Sequence, residues 1–284
     1  MRICTIGDLL MDVVVRPDGA ARPADDIRAR IAVGVGGQAA NVAAWASHLG
    51  AQARLVAARG DDAVGELMHA ELTERDVEVR GPVIAGPTGT VVALLDAHGE
   101  RSMMSDRGVS PEFLPEALDG TWFDGVDRLH ITGYSLIAEP FAYTAMAAAH
   151  QARVAGARVS VDLSAAHLIR ALGGAAFRRR LETVAPEVIF GTASEFAALD
   201  GPVSAPVIVT KRGADGCVVT WPGGSERVAA PDVAVVDTTG AGDAFSAGFL
   251  IGERREDAIS SAVAAAASCL ATMGAMPPRK EPGR

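Results

Sequence analysis

Short apolar runs of β type alternate with alanine- and leucine-rich helical stretches along most of the chain, and this alternation restricts the fold more than any other feature. The runs at Ile3–Ile6, Ala53–Ala57, Leu129–Thr132, Arg158–Asp162, Val188–Phe190, Val207–Thr210 and Cys217–Thr220 read as strands. Helical spacing covers Gln38–Leu49, Ala63–Glu74, Pro140–Ala155, Ala193–Leu199, Asp243–Ile251 and Asp257–Met273. A run such as Val207-Ile208-Val209-Thr210 leaves no face for water, which suits a parallel strand covered on both sides. The class is therefore α/β, with helices packed over the sheet. Two segments, 12–34 and 88–107, interrupt the alternation with strand- and turn-like sequence. The second reads as a hairpin turning at Asp96–Gly99. Together they predict a small sheet standing off the main one as a lid on a single domain over 1–284.

Composition excludes several classes. With 49% hydrophobic and 21% charged residues the chain has the means for a packed core, and disorder is excluded as its main state. No apolar run reaches the roughly 18–20 residues that a membrane-spanning helix needs. The opening Met1-Arg2-Ile3-Cys4-Thr5-Ile6-Gly7-Asp8 reads as a strand ending in a carboxylate rather than a signal peptide, so a cytoplasmic enzyme is expected. Three scattered cysteines without a CxxC make neither a disulfide framework nor a zinc site. A net charge of −9 argues against nucleic-acid or anionic-membrane partners. Only Lys211 and Lys280 are lysines and neither follows a glycine, so a Walker A loop is absent.

The most informative stretch is Asp237-Thr238-Thr239-Gly240-Ala241-Gly242-Asp243, leading into Ala244-Phe245 and a helix. Small residues at 240–242 allow a tight turn whose open amides, with the helix dipole, make an anion site. Asp243 at the helix start could be a cap or a base. A carboxylate beside an anion hole is also what phosphoryl transfer to a hydroxyl requires.

At these residues the sequence resembles the ribokinase-like (PfkB-type) carbohydrate kinases, whose C-terminal signature is this Asp-Thr-x-Gly-Ala-Gly-Asp pattern. The resemblance implies a three-layer α/β/α sandwich with a mostly parallel central sheet and a small β lid. It also implies ATP-dependent phosphorylation of a small sugar or sugar acid, with Asp243 as base and the amides of Ala241, Gly242 and Asp243, after Gly240, as anion hole. Asp237 and Thr239 fall where relatives often hold a monovalent cation such as K⁺. Gly36-Gly37-Gln38-Ala39-Ala40-Asn41, followed by Gly60-Asp61-Asp62, resembles the N-terminal signature, in which Gly36, Gly37 and Asn41 would meet sugar hydroxyls. Gly34-Val35-Gly36-Gly37-Gln38-Ala39 also fits G-x-G-x-x-A, the dinucleotide fingerprint, but lacks the βαβ context that fingerprint needs.

Asp12 alone is an ordinary turn carboxylate; the resemblance makes it a ligand of sugar hydroxyls. Thr210, Gly213 and Gly216 resemble the nucleotide-side turn, where Lys211 and Arg212 read as solvated charges. The alanine-rich 262–271 stretch would border the adenine. The family's Asn-x-x-Glu motif for Mg²⁺ appears here as Thr192-Ala193-Ser194-Glu195, so Glu195 keeps the metal role through water and Thr192 departs from the pattern. Arg107 is the candidate contact for an acidic group on the acceptor. A nucleoside kinase of the same fold, a homologue with weakened turnover, and a homodimer paired through the lid remain open readings.

Overall fold

The computed structural model describes residues 1–19, 26–95 and 101–279. In chain order the strands are β1 (Arg2–Ile6), β2 (Leu10–Pro17), β3 (Ala29–Gly36), β4 (Gln52–Val56), β5 (Arg59–Gly60), β6 (Val77–Arg80), β7 (Val83–Ile84), β8 (Thr88–Leu95), β9 (Arg101–Gly108), β10 (Arg128–Thr132), β11 (Arg158–Asp162), β12 (Val188–Thr192), β13 (Val207–Lys211), β14 (Cys217–Trp221) and β15 (Gly224–Val228). The helices are α1 (Gln38–His48), α2 (Ala63–Thr73), α3 (Phe141–Val154), α4 (Ala166–Leu172), α5 (Gly174–Val184), α6 (Ala193–Ala198), α7 (Ala241–Ile251) and α8 (Arg255–Leu270).

The main sheet has the order β15-β14-β13-β12-β11-β10-β1-β4-β6. Pairing is parallel from β6 to β13, and β14 and β15 close the far edge as antiparallel strands. From β1 the chain first builds outward through β4 and β6, then returns to β10 and builds the other way. That reversal opens a crevice at the carboxyl ends of the central strands, where open α/β sheets bind ligands.

Burial on both faces explains the near-continuous apolar strands. Within β12, Phe190 packs on the side of Trp45, Phe245 and Phe249, while Ile189 packs with Phe141, Phe177 and Leu199. Helices α1, α7 and α8 supply the first layer, and α3 and α5 the second. This is the three-layer α/β/α sandwich. Each expected strand appears: Arg158–Asp162 with the same bounds, Ala53–Ala57 shifted by one residue to Gln52–Val56, and the others lengthened by one or two residues. Helices α4 and α5 and strands β6 and β15 were not anticipated. Helix α7 begins at Ala241, two residues earlier than expected, because Gly240 takes a left-handed φ of 76° and turns the chain straight into the helix.

The segments that broke the alternation form a second sheet, ordered β3-β2-β8-β9. The tip expected at Asp96–Gly99 and part of the 12–34 segment lie outside the described residues. Strand register places Asp12, Val14 and Arg16 of β2 on one face, together with Val91 and Ala93 of β8. The other face exposes Ile31, Val33 and Met104.

Candidate active site

The expected motif forms the start of α7. The Asp237 carboxylate ties the loop together, accepting from Thr239 N and Thr239 Oγ1 at 2.7 Å each and from Gly274 N at 3.0 Å. A side chain at Gly240 would overlap Ala275. The three amides expected to be open differ in their use. Asp243 N donates to Gly240 O at 3.0 Å, and Ala241 N reaches Thr238 O at 3.4 Å. Gly242 N makes no hydrogen bond to the protein among the described residues.

Asp243 is brought against the start of α1, where Asn41 Nδ2 donates to its Oδ2 at 2.8 Å. Burial pushes the Asp243 carboxyl up to about 7; Asn41, Lys211 and Gln38 pull the other way, and the Asp162 charge adds to the rise. Asn41 was expected to face sugar hydroxyls. Half of its amide holds Asp243 instead, and its Oδ1 is buried without a donor. An acceptor hydroxyl would satisfy it.

Lys211 corrects the sequence reading. It is not a solvated turn charge: its Nζ donates to Asp162 Oδ2 at 2.5 Å, and the Asp162 side chain is fully buried. Burial works against the Lys211 charge, but Asp162, with Glu195 and Asp243 behind it, holds the ammonium above its ordinary pKa. A Cβ at Gly242 would lie 3.3 Å from Nζ, so the lysine abuts the α7 turn. Ser246 Oγ lies within hydrogen-bond reach of both parts, 3.3 Å from Asp162 Oδ2 and 3.0 Å from Gly242 O, with one proton to donate to either. Asp162 ends a buried apolar strand, and a carboxylate in that place was the available sequence signal for it.

The small sheet and the 273–276 segment enclose a cavity of about 430 Å³ lined in part by Asp12, Val14, Val91, Asp237, Thr239 and Ala275. Burial raises the Asp12 carboxyl to about 6. Gly36 leaves room for it: a Cβ there would stand 2.0 Å from the Asp12 carboxylate and push it aside. Gly37, at φ 96°, starts α1 with its missing Cβ against Asp8 O. Arg107, expected to contact an acidic group on the acceptor, is committed elsewhere. Its Nε and Nη2 donate to Asp8 Oδ2 and Oδ1 at 2.9 and 2.8 Å, in the bidentate geometry of a strong pair.

On the other side of the turn, Thr192 and Glu195 form a capping box at α6. Glu195 Oε2 accepts from Thr192 N at 2.7 Å, while its second oxygen makes no hydrogen bond to the protein among the described residues. Thr192 thus keeps the local fold that the departure from Asn could have lost. Thr210 lies in β13, and Gly213 and Gly216 turn the chain into β14 with φ of 57° and 80°. Gly216 packs against Val228 O, where no side chain fits. A second cavity, of about 540 Å³, is bordered by Val228, Ile259, Val263 and Ala267 along α8. One free carboxylate oxygen fits Mg²⁺, which keeps most of its waters and takes its other ligands from substrate phosphates. Among the described residues no group of three or more His, Cys, Asp and Glu could hold a metal by itself.

A doubly covered parallel sheet, a small sheet over its carboxyl edge, and a buried carboxylate at a glycine-rich helix start define a carbohydrate kinase of the ribokinase-like fold. The chain belongs to the pfkB family of carbohydrate kinases, whose pattern it matches over residues 1–282. It is 33% identical over 262 residues to an ATP-dependent ribose-1-phosphate kinase of Halopiger xanaduensis, covering 88% of this chain and 84% of that one. A fructokinase of Klebsiella pneumoniae is 31% identical over 276 residues, with 88% and 84% covered. Among solved structures, the adenosine kinase of Sinorhizobium meliloti superposes with a TM-score of 0.85 at 22% identity, over 97% of this chain and 95% of that one. No helix among the described residues is long and apolar enough to cross a membrane.

Proposed function

We propose that this protein, as one domain with the small sheet as its lid, transfers the γ-phosphoryl group of ATP to a primary hydroxyl of a small sugar or sugar acid. The observation that carries this reading is the Asp243 carboxylate, held by the Asn41 amide in the first turn of α7, next in sequence to the open Gly242 N–H. Asp12 and the unpartnered Asn41 oxygen hold acceptor hydroxyls, with Gly36 and Gly37 giving the backbone clearance. Asp243 takes the proton of the attacking hydroxyl as its oxygen bonds to the γ-phosphorus. The bond from that phosphorus to the β-side bridging oxygen breaks, and ADP leaves. The Gly240–Asp243 turn and Lys211 face the transferred charge, and most of the rate gain comes from positioning and preorganised charge. Lid closure keeps water from competing for the phosphoryl group.

Glu195 would hold Mg²⁺ through water, the ion neutralising phosphate charge when bound. Thr210, Gly213 and Gly216 flank the nucleotide, whose base lies toward the α8 cavity. Asp237 and Thr239 border a monovalent cation, K⁺ by the family's habit. The exposed outer face of the lid is the surface through which two copies would pair. Glu195→Gln is expected to raise the Mg²⁺ concentration for half-maximal turnover several-fold, read from a magnesium titration at fixed ATP. An unchanged titration would remove Glu195 from the metal.

Among the described residues, the acceptor cavity has no aromatic side chain in its lining. Bases are commonly held by stacking on aromatic faces, worth about 1–3 kcal/mol each in nucleic-acid-binding proteins. This favours a sugar. The apolar band of Val14, Ala93 and Met103 is the feature that favours a nucleoside instead. We expect kcat/KM for the best of ribose, fructose and 2-keto-3-deoxygluconate to exceed that for adenosine, uridine and pseudouridine. A nucleoside preferred tenfold over every sugar would overturn the sugar reading and leave the kinase in place.

A further inference from the structure

The register of the lid sets Arg16 of β2 directly opposite Arg30 of β3. Like charges placed across a strand pair repel and weaken it. Neither guanidinium has an ion pair or hydrogen bond among the described residues, so no carboxylate among them offsets the repulsion. Both line the cavity that holds Asp12, and both lie on its face of the sheet, four residues along each strand from Asp12 and its partner Gly34. The other arginines close by are committed. Arg75 donates to Glu71 and to the Pro277 carbonyl, and Arg107 grips Asp8.

The cavity is therefore two-ended. Asp12 offers a carboxylate to hydroxyls at the inner end, Val14, Ala32, Ala93 and Met103 form an apolar band, and two unneutralised cations close the outer end. Four residues of strand span roughly 13 Å, a gap that long guanidinium side chains shorten by folding back over the band. Resting on the reading of this cavity as the acceptor site, we propose that Arg16 and Arg30 form a phosphate subsite. The substrate is then a sugar phosphate whose free primary hydroxyl points to Asp243, rather than a neutral sugar. Two guanidinium forks match the charge and the several oxygens of a phosphate dianion, whereas a single carboxylate leaves one cation uncompensated. Binding the dianion also removes the cross-strand repulsion.

The test compares kcat/KM for fructose, fructose 1-phosphate, fructose 6-phosphate and gluconate, which all carry a free primary hydroxyl. The wild type is set against the double variant Arg16→Gln/Arg30→Gln. One phosphate ester is expected to exceed fructose at least tenfold in the wild type, and that ratio to fall at least tenfold in the variant, mainly through KM. An unchanged ratio, or gluconate preferred to both esters, overturns the subsite. Calorimetric titration of the two esters without ATP reads the subsite apart from turnover: binding weakened tenfold by the double substitution supports it, and equal or absent binding overturns it. Arginine-dependent binding of an ester with no ADP release from any acceptor would count against the primary-hydroxyl reading and leave the subsite standing.

Discussion

Asp243→Asn is expected to lower kcat by about 10²–10⁴ while leaving ATP affinity within a few-fold. The amide preserves shape and can still meet Asn41, so the α7 turn and its open Gly242 N–H survive while the proton acceptor is lost. Steady-state kinetics with calorimetric titration of ATP separates the two effects, and near-normal turnover would reduce Asp243 to a helix cap. The wild-type pH profile should agree. With the Asp243 carboxyl raised to about 7 in the free protein, kcat/KM falls as pH drops through that value. The stability effect has the opposite sense. Because the folded pKa lies above the unfolded one, the stabilising contribution is complete at low pH and is lost as pH rises through about 7. Removing the charge should therefore raise the Tm at pH 8 relative to wild type, and leave it little changed near pH 4.

Lys211→Met is the second large effect. It strands the fully buried Asp162 charge, and breaking a buried pair in this way costs about 3–5 kcal/mol. Denaturant unfolding reads that loss. The Lys211 charge also pulls the Asp243 pKa down, so its removal should move the acid limb of the pH profile upward. Stability and chemistry are separable in the double variant Lys211→Met/Asp162→Asn, which removes the stranded charge and should recover much of the lost stability. That variant also removes the Asp162 repulsion, so its acid limb should lie between those of Lys211→Met and Asp162→Asn. Coincidence of all these limbs with the wild type would show that the pair shapes the site without tuning it. Lys211→Arg keeps the charge and should hold the limb near the wild-type position.

What could be read in the sequence was local. Asp243, Gly240 and Gly242 lie within one turn, and a glycine-rich turn before a helix has a meaning that does not depend on the remainder of the chain. The alternation of strands and helices is local too, which is why the layered architecture was legible. Lys211 was misread because its burial depends on Asp162, 49 residues away. The pairing of Arg107 with Asp8 was not legible because Asp8 lies 99 residues away. Neither partner is implied by spacing, only by the tertiary arrangement of the strands. Asn41 was expected near the acceptor but not against Asp243, since the meeting of α1 and α7 is again a tertiary event. One local signal was overlooked: Thr192-Ala193-Ser194-Glu195 is a capping-box sequence in its own right. It explains how threonine serves at that position without disturbing α6.

The order of elements along the chain bears on how the protein is made. Every strand of both sheets precedes residue 229, whereas α7 and α8 follow it. These last helices cover Phe190, Val209 and Val219 on one face of the sheet, and the segment after them is pinned by Trp45 Nε1 to Ala275 O at 2.8 Å. On the ribosome, a nascent chain can thus have all its strands in place while one sheet face stays bare over β12–β14, with Asp243 and the cavity wall still to come. Newly made chains would pass from an aggregation-prone intermediate to the complete fold in one step, because the segment that brings Asp243 also shields the exposed apolar face.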